Sequence, residues 1–356
     1  MSYRQPIKLN SFTLIVVALI AVIACNCYGR WRKAGEHRML VAARSGDIAT
    51  VRVLLRMGIS PEGKTEPAPR PPLSQASDAD FAGGETAVTL AAASGRTEVL
   101  KLLLDHGGNL QTRDRAGNTA LTLAMQRRHH DAALLLLQRG ADPNPVSDAG
   151  LGSRVSILSI AAERDWRDIL KLALDRGDPP DGVPRWSRRF PDCPICAAAQ
   201  AGHVEAARLL LDRGANTEGR DAVGSTPLME AAQAGNIALM ALLLRRGAHV
   251  SVRDDYDMTP LMWAAHSGKR VAVQLLLDNG ADINARHFTG WTSLAIAART
   301  GDPALVHFLL EKGADARGEA GSKALYAAEI GNRWRQSVSG AASEKDPRPI
   351  VLDLLT

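Results

Sequence analysis

Residues 226–249 read TPLMEAAQAGNIALMALLLRRGAH, and 33 positions later residues 259–282 read TPLMWAAHSGKRVAVQLLLDNGAD. A further copy opens at Thr292-Ser293-Leu294-Ala295, and an earlier one, one period before the first, at Cys193-Pro194-Ile195-Cys196. Gapless recurrence at this period predicts a stack of small units rather than one globular core. Each position has a physical reading. A Thr before an apolar run offers an oxygen to the orphan amides of a helix start, and Pro in the first turn loses no bond. The Ala231-Ala232 pair lets neighbouring helices approach closely. Gly235, Gly268 and Gly301 turn the chain between two antiparallel helices, and Leu242, Leu243 and Leu244 fall on the inner face of the second helix. Gly247, Gly280 and Gly313 end that helix, where a left-handed residue is needed. Asp221-Ala222-Val223-Gly224 and Asp114-Arg115-Ala116-Gly117 supply projecting hairpin tips. One such unit cannot bury its own apolar face, so several must stack.

Working outward, Thr86-Ala87-Val88, Thr119-Ala120-Leu121 and Ser156-Ile157-Leu158 open earlier units. The pattern resembles the ankyrin repeat, with its T-P-L-H-x-A opening and G-A-D-x-N ending. The resemblance implies an all-α solenoid over residues 35–356, built from helix-turn-helix pairs joined by hairpin loops. Units start near 35, 84, 117, 154, 191, 224, 257, 290 and 321, with degenerate first and last caps. Three inserts interrupt the period. Residues 62–83 contain Pro67, Pro69, Pro71 and Pro72 and read as a flexible loop. Residues 178–192 read as a tolerated surface insertion, although Arg185, Trp186, Arg188, Arg189 and Phe190 are types that anchor interfaces. Residues 333–347 precede an expected terminal helix, Pro349 to Leu355.

The formal charge of +5 is local. Residues 1–38 hold six basic residues and one acid, which leaves 37 of each sign in the remaining 318. A neutral body does not track phosphates, so nucleic-acid binding is not expected. Ser11 to Tyr28 is an uncharged stretch of 18 residues (SFTLIVVALIAVIACNCY), flanked by Arg4 and Lys8 before it and Arg30, Arg32 and Lys33 after it. That predicts a hydrophobic helix within a membrane-targeting segment, residues 1–34. An uncleaved single-pass anchor is the first expectation. Val22-Ile23-Ala24-Cys25 also resembles a bacterial lipobox, with Cys25 as the lipidated residue, and cleavage after Ala24 is the third outcome. The segment suggests a bacterial cell envelope.

Chemistry is sparse. Cys193 and Cys196 fill the Thr and His slots of the repeat signature, so ordinary packing is the first reading and a reversible disulfide the second. A structural zinc lacks a second Cys pair. No nucleophile elbow, phosphate loop or metalloprotease motif is present, so no enzyme activity, metal, cofactor or small-molecule substrate is expected. The ankyrin resemblance implies a protein partner, held by the hairpin tips and the exposed side of the first helices. Position by position, the tips supply Asp255, Tyr256, His287, Phe288 and Trp291, and the first helices supply Glu230, Gln233, Trp263, His266 and Arg299. The leading function is a membrane-tethered interaction scaffold. The alternatives are a redox-responsive envelope protein using Cys193 and Cys196, and an inhibitor that binds a toxin.

Overall fold

In the computed structural model, residues 29–64, 84–143, 156–182, 192–317 and 321–326 are described. Outside them lie the apolar stretch 11–28 with Cys25, most of the 62–83 insert, and the five insert residues Arg185, Trp186, Arg188, Arg189 and Phe190. Residues 333–347 and the expected Pro349–Leu355 helix lie outside them as well. Among the described residues no helix is long and apolar enough to cross a membrane.

The chain divides into two compact units, Met1–Ser153 and Arg154–Thr356. In the first, α1 (29–45) is followed by α2 (Ile48–Arg56), α3 (Ala87–Ala93) by α4 (Thr97–Asp105), and α5 (Ala120–Gln126) by α6 (His130–Gln138). In the second, the successive pairs are α7 (Ile157–Glu163) and α8 (Arg167–Asp175), then α9 (Pro194–Ala201) and α10 (Val204–Asp212). Next come α11 (Pro227–Ala234) and α12 (Ile237–Arg245), α13 (Pro260–His266) and α14 (Arg270–Asp278), α15 (Ser293–Thr300) and α16 (Pro303–Glu311), and last the lone α17 (321–326). The described residues contain no strand, only an isolated bridge between Arg113 and Thr119. Within each unit, first helices pack on first helices and second on second. In the Arg154–Thr356 unit α11 lies between α9 and α13, and α12 between α10 and α14.

Helices α2 to α16, of seven to nine residues, are too short to persist alone, so packing supplies their stability. The Ala pairs at 91–92, 231–232, 264–265 and 297–298 are fully buried, which is what allows the close approach of α3, α11, α13 and α15 to their neighbours. Leu242 and Leu243 are buried as expected, whereas Leu244 is half-buried because it points off the inner face. Thr86 and Thr119 cap α3 and α5 with reciprocal bonds to Thr89 and Thr122. Links between neighbouring repeats then reuse one position. In several repeats the residue that caps the second helix reaches back to the preceding repeat: Arg96 Nε donates to the Arg44 carbonyl, and Asn236 Nδ2 donates to the Gly202 carbonyl. His203 Nε2 lies 3.1 Å from the Glu163 carbonyl in the same role.

Candidate protein-binding surface

The tips that follow Arg220, Arg253 and Arg286 are tight turns, each closed by two backbone bonds. Around 254–258 these are Asp254 N to the Met258 carbonyl and Asp257 N to the Asp254 carbonyl. Asp254 is buried, and its carboxylate accepts from the amides of Tyr256 and Met258 at 2.9 and 2.8 Å. Asp221 does the same for Val223 and Ser225. The turn is thereby fixed and its middle side chains point outward. Tyr256 is 54% exposed and Phe288 75% exposed, on consecutive tips. Gly224 shows why a tip can seat so closely on the next: a Cβ there would lie 2.9 Å from the Asp255 amide, whose N–H donates to the Val223 carbonyl.

An arginine just before the tip locks each turn to its neighbour. Arg220 Nη1 donates to the Gly224 carbonyl and, 33 residues on, to the Arg253 carbonyl. Arg253 Nη1 repeats this with Asp257 and Arg286, and pairs with the Asp257 carboxylate at 2.9 Å. This ladder was not anticipated from the sequence. Its trace in the sequence is an Arg at the same slot at 113, 220, 253 and 286.

Between the 254–258 and 287–291 tips and α15 lies a shallow pocket of about 320 Å³, lined by Met258, His287, Thr289, Trp291, Ile296 and Arg299. Its wall is organised by Arg299. The guanidinium carbon sits 5.3 Å above the Trp291 ring, and Nη2 lies 3.2 Å from His266 Nδ1. Burial, and then the charge of Arg299, hold the His266 pKa below its ordinary value. A guanidinium can only donate, so His266 Nδ1 is the acceptor of a neutral ring. His266 also meets Trp263 edge-on at 5.9 Å. His287 and Phe288 stack at 4.1 Å on the opposite lip.

The ten expected partner-binding residues therefore differ in role. Gln233, Asp255, Tyr256, His266, Phe288 and Arg299 are exposed. His287 and Trp291 are half-buried and line the pocket. Trp263 is also half-buried, because its indole Nε1–H donates to Asp254 Oδ2 at 2.8 Å, which ties α13 to its own tip. Glu230 is buried rather than exposed; burial first, and the negative charge of Asp221 second, push its carboxyl up to about 7. Both follow from the close seating of first helices under the tips, which position counting does not show. Cys193 and Cys196 are buried in their repeat slots and are joined as a disulfide, with Cα atoms 5.2 Å apart. Packing and a bond are thus combined, where the sequence offered them as alternatives.

The sequence profile of the family described as ankyrin repeats matches residues 38–147, 158–254 and 250–320, most of the chain. The chain belongs to the ankyrin-repeat family. An ankyrin repeat and KH domain-containing protein of Caenorhabditis briggsae is 33% identical over 135 residues, 37% of this chain but only 5% of that protein. A probable E3 ubiquitin-protein ligase of rice, Oryza sativa subsp. japonica, is 29% identical over 206 residues, 51% of this chain and 39% of that protein. Ankyrin repeat domain-containing protein 63 of mouse is 44% identical over 55 residues, covering 15% of this chain and 14% of that protein. The chain spans a minor part of these relatives, and what the similarity carries over is the ankyrin array, a scaffold for protein–protein interaction.

Proposed function

We propose that this ankyrin-repeat chain is a membrane-tethered scaffold without enzyme chemistry, which binds a protein partner through the tips at 254–257 and 287–290 and the exposed sides of α11, α13 and α15. The observation that carries the reading is the pocket beside two exposed aromatic tips: a greasy floor of Met258, Ile296 and Trp291 faces a positioned Arg299. Such a site takes an apolar side chain with an acidic group beside it, while Tyr256 and Phe288 cover the flanks. The tether is the uncharged 11–28 segment between its basic flanks, as a single-pass anchor in a bacterial cell envelope; lipidation at Cys25 is the alternative attachment. The insert residues around Trp186 and Phe190 are secondary contacts at most.

The test is capture of the partner from native membranes. Tyr256→Ala/Phe288→Ala and, separately, Arg299→Ala are each expected to weaken capture about tenfold or more, with melting unchanged because these side chains are exposed. Undiminished capture by both variants would remove this patch as the binding face. The Cys193–Cys196 disulfide supports a second reading, in which partner binding responds to redox state. Capture that is identical with and without reductant rejects it.

A further inference from the structure

The outer face of the first described helix pair, α1 and α2, is built unlike a polar cap. Helical spacing puts Trp31, Ala34, Arg38 and Val41 on one side of α1, and α2 adds Val53 and Met57. Trp31 is 42% exposed, Val41 56%, Val53 53% and Met57 51%, although a terminal repeat needs a polar outer face to stay soluble. A depression of about 380 Å³ opens between the two helices, lined among others by Trp31, Arg38, Val53, Met57 and Ile59. The surroundings are strongly basic: residues 29–57 contain seven Arg and Lys against Glu36 and Asp47. Arg38, Arg52 and Arg56 are exposed, each within one helical turn of the apolar side chains.

We propose that this face docks on an anionic membrane surface, with Trp31, Val53 and Met57 entering the headgroup layer and Arg38, Arg52 and Arg56 holding lipid phosphates. The proposal rests on the tether reading, since the described part of α1 follows the apolar 11–28 segment directly in sequence, and the face is therefore held near whatever surface that segment enters. An indole beside arginines is the composition that partitions to an anionic interface. Charge also argues against a second copy as the occupant: two such faces would bring five net positive charges against five. An apolar segment of the same chain folded over the face would leave the arginines without counter-charge.

The experiment places the full chain in lipid nanodiscs containing brominated phosphatidylglycerol, and compares wild type with Trp31→Phe. The difference isolates Trp31 from the other tryptophans. Quenching of Trp31 is expected in anionic discs, and it should fall several-fold in brominated phosphatidylcholine discs and in the Arg38→Gln/Arg52→Gln/Arg56→Gln variant. Each lost arginine removes about fivefold in surface partition. These arginines are exposed, so the variant's melting curve should match wild type. Retention of the chain in discs at alkaline pH, measured in the same samples, reports the tether separately. Retention without Trp31 quenching, quenching that ignores lipid charge, or a concentration-dependent doubling of mass through this face would each overturn docking and leave the tether standing. Failure to enter the discs would overturn both.

Discussion

At the residue scale, the turn between the two helices of a repeat demands a left-handed residue, and the chain does not always provide glycine. Gly95, Gly202, Gly235, Gly268 and Gly301 hold this slot with positive φ, but Arg128 (φ 65) and Asp165 (φ 55) occupy it in two repeats. A side chain there costs about 1–2 kcal/mol, part of which glycine's extra entropy in the unfolded chain offsets. Arg128→Gly and Asp165→Gly are therefore expected to stabilise the protein by about 0.5–1 kcal/mol each in urea melts, with Asp165→Gly the larger. That carboxylate has a buried Oδ1 with no hydrogen-bond partner among the described residues, and its other oxygen is 3.5 Å from Arg167. Glu230 is a second residue set against its surroundings. Its pKa is raised to about 7 from an ordinary 4.5, so folding favours the protonated form. The contribution is fully present below pH 4.5 and is lost as pH rises through 7. Glu230→Gln should stabilise the fold at pH 8 by on the order of 1–3 kcal/mol and change little at pH 4, which paired denaturation curves would show. A benefit equal at both pH values would mean that the buried charge is not the cause.

At the element scale, α9 begins where a threonine stands in other repeats, and Cys193 takes over the capping role by accepting the Cys196 amide at 3.3 Å. The disulfide closes a loop of only four residues, so its entropic contribution is about 2 kcal/mol, near the low end for such bonds. Cys193→Ala/Cys196→Ala loses both the bond and the cap. Cys193→Thr/Cys196→Ala keeps a hydroxyl at the cap and should recover about 1 kcal/mol of the loss. Equal melting of the two double variants would show that capping at this slot is unimportant. The same helix start illustrates how much the sequence shows. The 33-residue period, the Thr, Ser and Pro openings and the glycine punctuation mark the helix pairs from α3–α4 to α15–α16, because each follows from local backbone chemistry. What they do not show is contact across repeats. Trp263 reads as an exposed aromatic on a helix, yet it is tethered to Asp254 nine positions earlier. Glu230 falls on the polar side of α11 by spacing, but is buried, with the charge of Asp221 near enough to act on its carboxyl. Arg220 and Arg253 each donate to a carbonyl 33 positions on, a contact that no local pattern announces.

At the scale of the whole molecule, a repeat array is stable through nearest-neighbour terms, so what must be preserved is register rather than any one unit. The arginine ladder makes this concrete. Arg220 bonds a carbonyl four positions ahead and another 33 ahead, and Arg253 does the same. Deleting residues 224–256, one whole period, places Asp257 four positions after Arg220 and Arg286 thirty-three after it. Arg220 then inherits both bonds that Arg253 made, Val223 meets Asp257 in the slot of Gly224, and the Thr259-Pro260 helix start follows at its usual distance. The shortened protein should melt cooperatively with proportionally less helix by circular dichroism, at reduced stability because one interface is gone. It should also lose partner capture, since Tyr256 and its tip are removed. A deletion of 224–240, half a period, removes fewer residues but leaves Arg220 facing a helix instead of a turn and strands the leucine face of α12 without its first-helix partner. That shorter deletion should abolish cooperative melting in the Arg154–Thr356 unit. If the half-period deletion melts as well as the full one, the stack is not held by register, and the ladder is incidental.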